Sequence, residues 1–578
     1  MGRVTGLTIS GYRSIDDEVV IRLPVGVPLV LVGENNAGKS NIVRALDLIL
    51  GESYPGTHDP DDHEFFGRSK QDGSIEVSAH VSGISHTNYS GTKKVRRFRW
   101  TWPPRSDERP YVMEFDSGEE NYFVSNETRK QCTCIYIGAD RRLNYQLSYV
   151  SKFTFLSRLM KRFHEKLMAD QERVSNLRVK FEEVKDIFYE VDEFTTFESI
   201  LSDRVSELSG GMNYGLDVDF SAYDPSNFFH ALRVQASENG EPRTLDELGS
   251  GQEQVLALAF IQAYAEAFRD DAGLVLVVDE PESNLHPLAQ KWLARNLRKL
   301  AKTSCQVIVT THSPAFLDIE GLAGLVIVRK DGGCTRVTQR SATSLAAECV
   351  KRGAPATRTT AETVLPFYAA AATDEILSAF FARRVVLVEG PTEAAALPIY
   401  LDAVGLSTVK EGTAVVSVGG VGNLAKWWRL FSAYEIPTYV VFDNDAKDDE
   451  KTVKRADLLL TLGIGEDEHN KYTGTDSLIV TPSFAVFGGD FERTMGAIVG
   501  PAYSELETKG RTKFGLTGTA KSLLARFVAS SLAITDDTEV YERFTELRVA
   551  IEAVEVRTVN ISPSPPSLSA TTVRTPKK

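Results

Sequence analysis

Residues 33–40 read Gly-Glu-Asn-Asn-Ala-Gly-Lys-Ser, and no other stretch constrains the fold of this chain as strongly. The pattern GxxxxGKS wraps phosphates when a buried strand ends at its first glycine and a helix begins at its lysine. Both neighbours are present. Pro28 to Val32 is an apolar run of strand length, and Ile42, Val43, Ala45, Leu46, Ile49 and Leu50 recur at helical spacing. In such a loop the backbone around Gly33, Asn35, Asn36 and Gly38 turns its N–H groups onto the phosphates. Lys39 reaches the β- and γ-oxygens, the Ser40 hydroxyl ligates magnesium, and the helix N-terminus favours the anion. An α/β fold and ATP are what these residues predict.

Three later segments fit the same nucleotide. Leu274-Val-Leu-Val-Val is a buried strand ending in Asp279-Glu280, the arrangement in which Asp279 holds magnesium and Glu280 activates water. Read alone it is a core strand followed by an acidic turn, but Glu282-Ser-Asn-Leu-His286-Pro287 follows at once and fits a D-loop. Leu248-Gly-Ser-Gly-Gln-Glu-Gln254 opens a helix over Val255 to Phe268, and the strand Gln306 to Thr311 ends in His312-Ser313-Pro314. A lone histidine is ordinarily a core or surface residue; at the end of this strand it fits a switch role. The four pieces, in this order, resemble the ABC-type ATPases, with the glycine and serine of the signature exchanged. That resemblance implies that Ser250, Gly251 and Gln252 face the γ-phosphate of ATP held by another protomer. A homodimer or higher homo-oligomer follows. The exchange bears on the rate of hydrolysis more than on binding. The long interval between Lys39 and Gly251 resembles SMC- and RecF-like heads rather than transporter cassettes. Asp59 to Glu64 is the candidate Q-loop.

A second constellation begins far downstream. Val385-Val-Leu-Val runs into Glu389-Gly390-Pro-Thr-Glu393, a further strand covers Ala414 to Val418, and Thr438-Tyr-Val-Val-Phe ends in Asp443-Asn-Asp445. Carboxylates at the C-terminal ends of parallel strands share one edge of the sheet. Alternation points Asp443 and Asp445 the same way, toward Glu389 and one cation. Hard oxygen donors in this number suit Mg²⁺ or Mn²⁺. Either motif by itself is common, and an Asp-x-Asp is usually a solvated turn. Together they resemble the Toprim arrangement of topoisomerases, primases and certain nucleases.

The remaining sequence sets boundaries. At 578 residues the chain exceeds one core and predicts three or four domains. No apolar run approaches the ~20 residues of a membrane span, and the opening residues read as a strand rather than a leader, so a cytoplasmic protein is expected. Five scattered cysteines without zinc spacing read as reduced thiols. A net charge of −14 argues against nucleic acid on its face, yet carboxylate metal sites are themselves acidic. The basic cluster Lys93, Lys94, Arg96, Arg97 and Arg99 alternates like the solvated face of a strand, and Arg141 and Arg142 form a second. Residues 3–33 predict a hairpin before the phosphate-loop strand, and 72–137 predict a β-rich part of the ATPase. The expected organisation is an N-terminal ATPase part over 1–150 and a helical insertion suited to dimerisation over 151–235. The rest of the ATPase covers 236–340, a helical linker 341–382, a Toprim domain 383–555 and a disordered tail 556–578.

An ABC head with a helical insertion followed by a Toprim domain resembles the OLD (overcoming lysogenisation defect) family, which includes the nuclease subunit of the Gabija anti-phage system. The resemblance covers about residues 3–550. It implies that Glu389, Glu393, Asp443, Asp445, Asp490 and Glu492 hold two divalent ions, with Lys521 beside them, and that the chain cuts DNA under ATP control in antiviral defence. A UvrD-like helicase subunit is a possible partner by the same comparison, and no membrane is. The other reading is an ATP-gated DNA clamp of SMC/RecF type whose Toprim domain is not catalytic.

Overall fold

The computed structural model describes residues 2–51, 53–89, 91–104, 109–138, 163–208, 236–238, 241–243, 252, 256, 259, 263, 273–283, 285–303, 305–444, 449–473 and 477–555. Ser250, Gly251, Asp445, Arg141, Arg142 and the tail 556–578 lie outside the described residues, as do parts of the expected insertion.

A six-stranded sheet carries the phosphate loop. Its central strand, Leu29–Val32, lies parallel between Cys305–Thr311 and Leu325–Asp331; beyond Cys305–Thr311 come Gly273–Asp279 and Cys132–Ile137, and Cys334–Gln339 closes the other edge antiparallel. The strand ending in His312 thus separates the phosphate-loop strand from the strand ending in Asp279. A second six-stranded sheet is antiparallel, built from Arg3–Ser10, Val19–Arg22, Ile75–Asn88, Gly91–Trp102, Tyr111–Phe115 and Glu120–Asn121. The third sheet runs Thr413–Ser417, Arg384–Val388, Thr438–Asp443, Phe484–Phe487, all parallel, with Ile479–Val480 antiparallel at the edge.

Alternation along single strands explains how these layers join. Leu29 and Leu31 face helix Lys39–Leu50 and the antiparallel sheet, in one core with Ile42, Leu46, Phe98 and Trp100. Val30 and Val32 face the other way, into a core shared with Leu345, Tyr368, Val385, Leu387, Trp427 and Phe431. Val386 and Val388 then point to the far side, against Tyr400, Phe491 and Phe544. One apolar core therefore runs from the phosphate-loop strand to the strand that ends at Glu389. The linker helices Ala342–Lys351 and Val364–Ala369 fill it from the side.

Some elements differ from the expectation. The β-rich part expected over 72–137 contains one long hairpin, Ile75–Asn88 with Gly91–Trp102. Cys132–Ile137 leaves the antiparallel sheet and pairs parallel with Gly273–Asp279. Four of the five basic residues of the cluster are paired with carboxylates: Lys93 reaches Glu119 at 2.6 Å, Arg97 reaches Glu114 at 2.5 Å, Arg96 pairs with the same Glu114, and Arg99 meets Glu120 at 2.9 Å. Within 163–208 residues 163–168 are helical, and the longer helices Gln171–Tyr189 and Asp192–Leu208 follow. Among the described residues no helix is long and apolar enough to cross a membrane.

Candidate functional site

Two glycines of the phosphate loop are required by their surroundings. A Cβ on Gly33 would lie 2.0 Å from the Val328 carbonyl oxygen, and Gly38, at φ +110°, would put one 2.2 Å from Thr335 Oγ1. That threonine braces the loop. Its hydroxyl donates to the Ala37 carbonyl at 2.8 Å and meets Ser14 Oγ at 2.7 Å, which accepts from Asn41 Nδ2 at 2.7 Å. Lys39, 5 % exposed, opens the helix that follows, near Asn35, Asn36 and Ser40 of the same loop. Its ammonium donates to the carbonyls of Gly33 and Glu34 and to His312 Nε2, each at 2.9 Å.

Burial first, and then the Lys39 charge, lower the His312 pKa, against the pull of Glu280, Glu282 and Asp279; a neutral ring with its proton on Nδ1 can accept from Lys39 at Nε2. Burial likewise lowers Lys39, against the opposing pull of Glu280, Asp279 and Glu282. His312 Nε2 lies 3.7 Å from Glu280 Oε1. Lys39, Asp279, Glu280 and His312 thus gather at one end of the parallel sheet, the end that presents strand C-termini to a ligand.

Sequence reasoning missed the groups that hold these four. Asp279 accepts from Thr310 Oγ1 and, at 2.8 Å, from the Tyr136 hydroxyl. Glu282 accepts from the His312 amide at 2.5 Å and from Thr311 Oγ1 at 2.9 Å, fastening the segment after Glu280 to the strand that carries His312. Tyr136 ends a strand paired with the one ending at Asp279, a neighbour no local pattern reveals. Glu64 of the candidate Q-loop is engaged with His58 at 3.0 Å and the Asp61 amide at 3.2 Å. Gln252 is helical and exposed.

The second constellation occupies the C-terminal edge of the third sheet. Glu389, Asp443 and the segment leading to Asp490 follow three strands that are successive neighbours. The ends are stitched together: the Gly420 amide donates to the Glu389 carbonyl at 2.8 Å, and the Asn444 amide to the Phe487 carbonyl at 2.9 Å. Glu393 turns back to cap its own helix, accepting from the Gly390 amide at 3.1 Å. Asp490 caps helix Phe491–Val499, accepting from the Arg493 amide at 2.8 Å. Lys521 opens helix Lys521–Ser531 and its ammonium reaches Glu492 at 3.3 Å. Thr392 and Ser522 hydroxyls, 3.4 Å apart, hold that helix start against the one after Glu389.

The electrostatics mark a concentration of negative charge. Burial raises the Glu393 pKa and the charges of Glu389 and Glu492 raise it further, against backbone hydrogen bonds that pull it down. Burial works to lower Lys521, but Glu492, Asp490 and Asp443 raise it overall. An all-carboxylate donor set with such mutual repulsion suits a hard divalent cation. Among the described residues, however, no group of three acidic, histidine or cysteine side chains converges closely enough to hold an ion.

Comparison with known proteins adds to this geometry. A family model described as AAA domain, putative AbiEii toxin, Type IV TA system, matches residues 29–318, about half of the chain. Another, described as Overcoming lysogenization defect protein-like, TOPRIM domain, matches residues 380–445. The OLD nuclease of Thermus scotoductus is 27% identical over 457 residues, 76% of this chain and 81% of that protein. The Old nuclease of Escherichia phage P2 is 27% identical over 238 residues, 40% of this chain and 39% of that one. Among solved structures, an Smc head domain with a coiled coil and joint from Pyrococcus yayanosii covers 59% of this chain and 98% of its own. Its identity is 14% and its TM-score 0.34, too loose a likeness to carry weight.

Proposed function

We propose a mechanism for this chain on the premise that it belongs to the OLD (overcoming lysogenisation defect) family, an AAA-type ATPase joined to a Toprim nuclease domain. It is a DNA endonuclease whose cutting depends on Mg²⁺ or Mn²⁺ and is regulated by ATP. The observation that carries this reading is the edge where Glu389, Asp443 and Asp490 follow adjacent strands with Lys521 beside Glu492. Glu389, Glu393, Asp443, Asp445, Asp490 and Glu492 would hold two divalent ions, which when bound supply a water nucleophile and stabilise the leaving 3′ oxygen. Lys521 offsets the charge that develops on the scissile phosphate.

At the other site Lys39 would turn its ammonium to the phosphate oxygens of ATP. Ser40 and Asp279 would hold magnesium, Glu280 would take a proton from water, and His312 would sense the γ-phosphate. Ser250, Gly251 and Gln252 complete the site from a second protomer. Exposed Val179, Ile187, Phe197 and Ile200 on the two helices of the insertion support its role as a dimerisation arm. The domain boundaries given above and a cytoplasmic setting, which rest on the sequence pattern, and anti-phage defence and a helicase partner, which rest on the family resemblance, belong to the same proposal.

Supercoiled plasmid, incubated with Mg²⁺ or Mn²⁺ with and without ATP, tests it. Wild type nicks or linearises the plasmid, Glu389→Ala does not, and Lys39→Ala cuts without responding to ATP. A plasmid left intact by wild type under every metal and nucleotide condition sinks the nuclease reading. It would favour the ATP-gated clamp.

A further inference from the structure

Two of the strands that lead to the carboxylates are gripped at their starting ends by the nucleotide-binding part of the chain. Arg383 stands one residue before strand Arg384–Val388, which ends at Glu389. Its guanidinium meets both oxygens of the Glu34 carboxylate, Nε to Oε1 and Nη2 to Oε2 at 3.2 Å. Glu34 is the second residue of the phosphate loop. The neighbouring strand, Thr438–Asp443, is preceded by a turn presenting Glu435 at φ +59°. The Glu435 carbonyl accepts from Arg329, and its carboxylate accepts from Thr338 Oγ1 at 2.9 Å and Arg340 Nη2 at 2.8 Å. Arg329 lies on the strand paired parallel to the phosphate-loop strand, and Thr338 on the strand after it.

The two grips answer differently to a nucleotide. Glu435 is held from a strand pair locked in the sheet by its ladder. Glu34 belongs to the loop whose carbonyls, its own included, hold the Lys39 ammonium at 2.9 Å. A phosphate that takes the Lys39 ammonium must displace at least one of its three partners, the Gly33 and Glu34 carbonyls and His312 Nε2, and so changes the support of the loop that carries the Glu34 carboxylate. A planar guanidinium seated on two oxygens transmits orientation as well as position.

We propose that Arg383 is a positioning residue of the nuclease site. Nucleotide in the phosphate loop shifts Glu34, Glu34 shifts Arg383, and strand Arg384–Val388 moves against its Glu435-anchored neighbour. Glu389 is thereby reset relative to Asp443. The effect on cutting rests on the nuclease reading; the mechanical link does not. An exposed ion pair supports a coupling of about fivefold at most, which makes Arg383 a modulator rather than an on–off switch.

Hydrogen exchange of the full-length protein tests the link directly, with and without Mg²⁺ and the slowly hydrolysed analogue ATPγS. Peptides spanning 384–397 change their exchange on nucleotide binding in wild type. The change disappears in Arg383→Gln and partly survives in Arg383→Lys, which keeps the charge but not the fork, while both variants bind a fluorescent ATP analogue as wild type does. Nucleotide-insensitive peptides in wild type, or a response undiminished in Arg383→Gln, overturn the proposal. Plasmid cutting is measured in parallel, and its ratio of rates with and without nucleotide moves toward one by about fivefold in Arg383→Gln. If wild type never cuts but the exchange pattern holds, the nuclease reading fails and the link stands.

Discussion

Glu280 occupies left-handed backbone at φ +48°, a conformation an acidic side chain adopts only when its surroundings insist. The surroundings here are the Thr310 carbonyl and hydroxyl, which both face its amide at 3.0 Å. The turn aims the carboxylate at His312 and Lys39, where a γ-phosphate and its attacking water would stand. Replacing it with Gln keeps size and turn but removes the base. ATP hydrolysis by Glu280→Gln should fall by about 10²- to 10⁴-fold while ATP affinity persists, measured by phosphate release and by equilibrium binding. Loss of binding in parallel would instead assign Glu280 to holding the loop. Lys521 answers for the other chemistry. Three carboxylates sustain its charge, which fits the proposed role of a fixed cation and not that of a base. Lys521→Ala should lower plasmid cutting by about 10²- to 10³-fold and leave ATP hydrolysis untouched; a variant that loses both would mark Lys521 as a folding residue.

At the scale of elements, the linker helix Ala342–Lys351 shows what binds the two halves. Glu348 lies 29 % exposed beside Arg352, whose guanidinium pairs with it and reaches the Ser432 carbonyl at 3.3 Å. Burial alone would raise the Glu348 pKa, but Arg352 carries it below the usual carboxylate range. A depressed carboxyl stabilises the fold above its unfolded pKa and loses that contribution as pH falls through the folded one. Glu348→Gln should therefore melt below wild type at pH 7, with the gap closing below about pH 4; a gap independent of pH in thermal denaturation would refute the ion-pair account. Such a contact is invisible in sequence, whereas the strands it supports are legible. Leu29–Val32, Gly273–Asp279, Arg384–Val388 and Thr438–Asp443 stand out because unbroken apolar runs of strand length end in residues with chemistry. Cys132–Ile137 was legible as a strand but not as a member of the parallel sheet, because its partner lies far away in the chain and alternation does not name partners. The same gap hid Tyr136 from the Asp279 site. The edge of the third sheet was readable because strand ends in one parallel sheet share a side, a rule of topology. The convergence of the carboxylates depends on rotamers and on a cation, which no spacing encodes.

For the whole molecule the question is whether one protomer contains a complete ATPase site. The described residues assemble Lys39, Asp279, Glu280 and His312 within a single chain, with Lys39 bonded to His312 at 2.9 Å. If the signature at Ser250 and Gly251 completes the site only across a dimer, two different defects become complementary. A Lys39→Ala homodimer has two sites without the phosphate-binding lysine. A Ser250→Arg homodimer has two sites blocked from the facing side. In a mixed dimer both defects fall in one site and leave the other intact. Random pairing of equal amounts makes half the dimers mixed, so hydrolysis should return to about a quarter of the wild-type rate. A site completed within one protomer predicts no recovery at any mixing ratio. The two variants should be combined before dimers form, by co-expression with distinct tags, and the doubly tagged species assayed alone. That species should then show about half the wild-type rate per dimer. A doubly tagged dimer that forms and hydrolyses nothing would remove the composite site and leave dimerisation to the insertion alone.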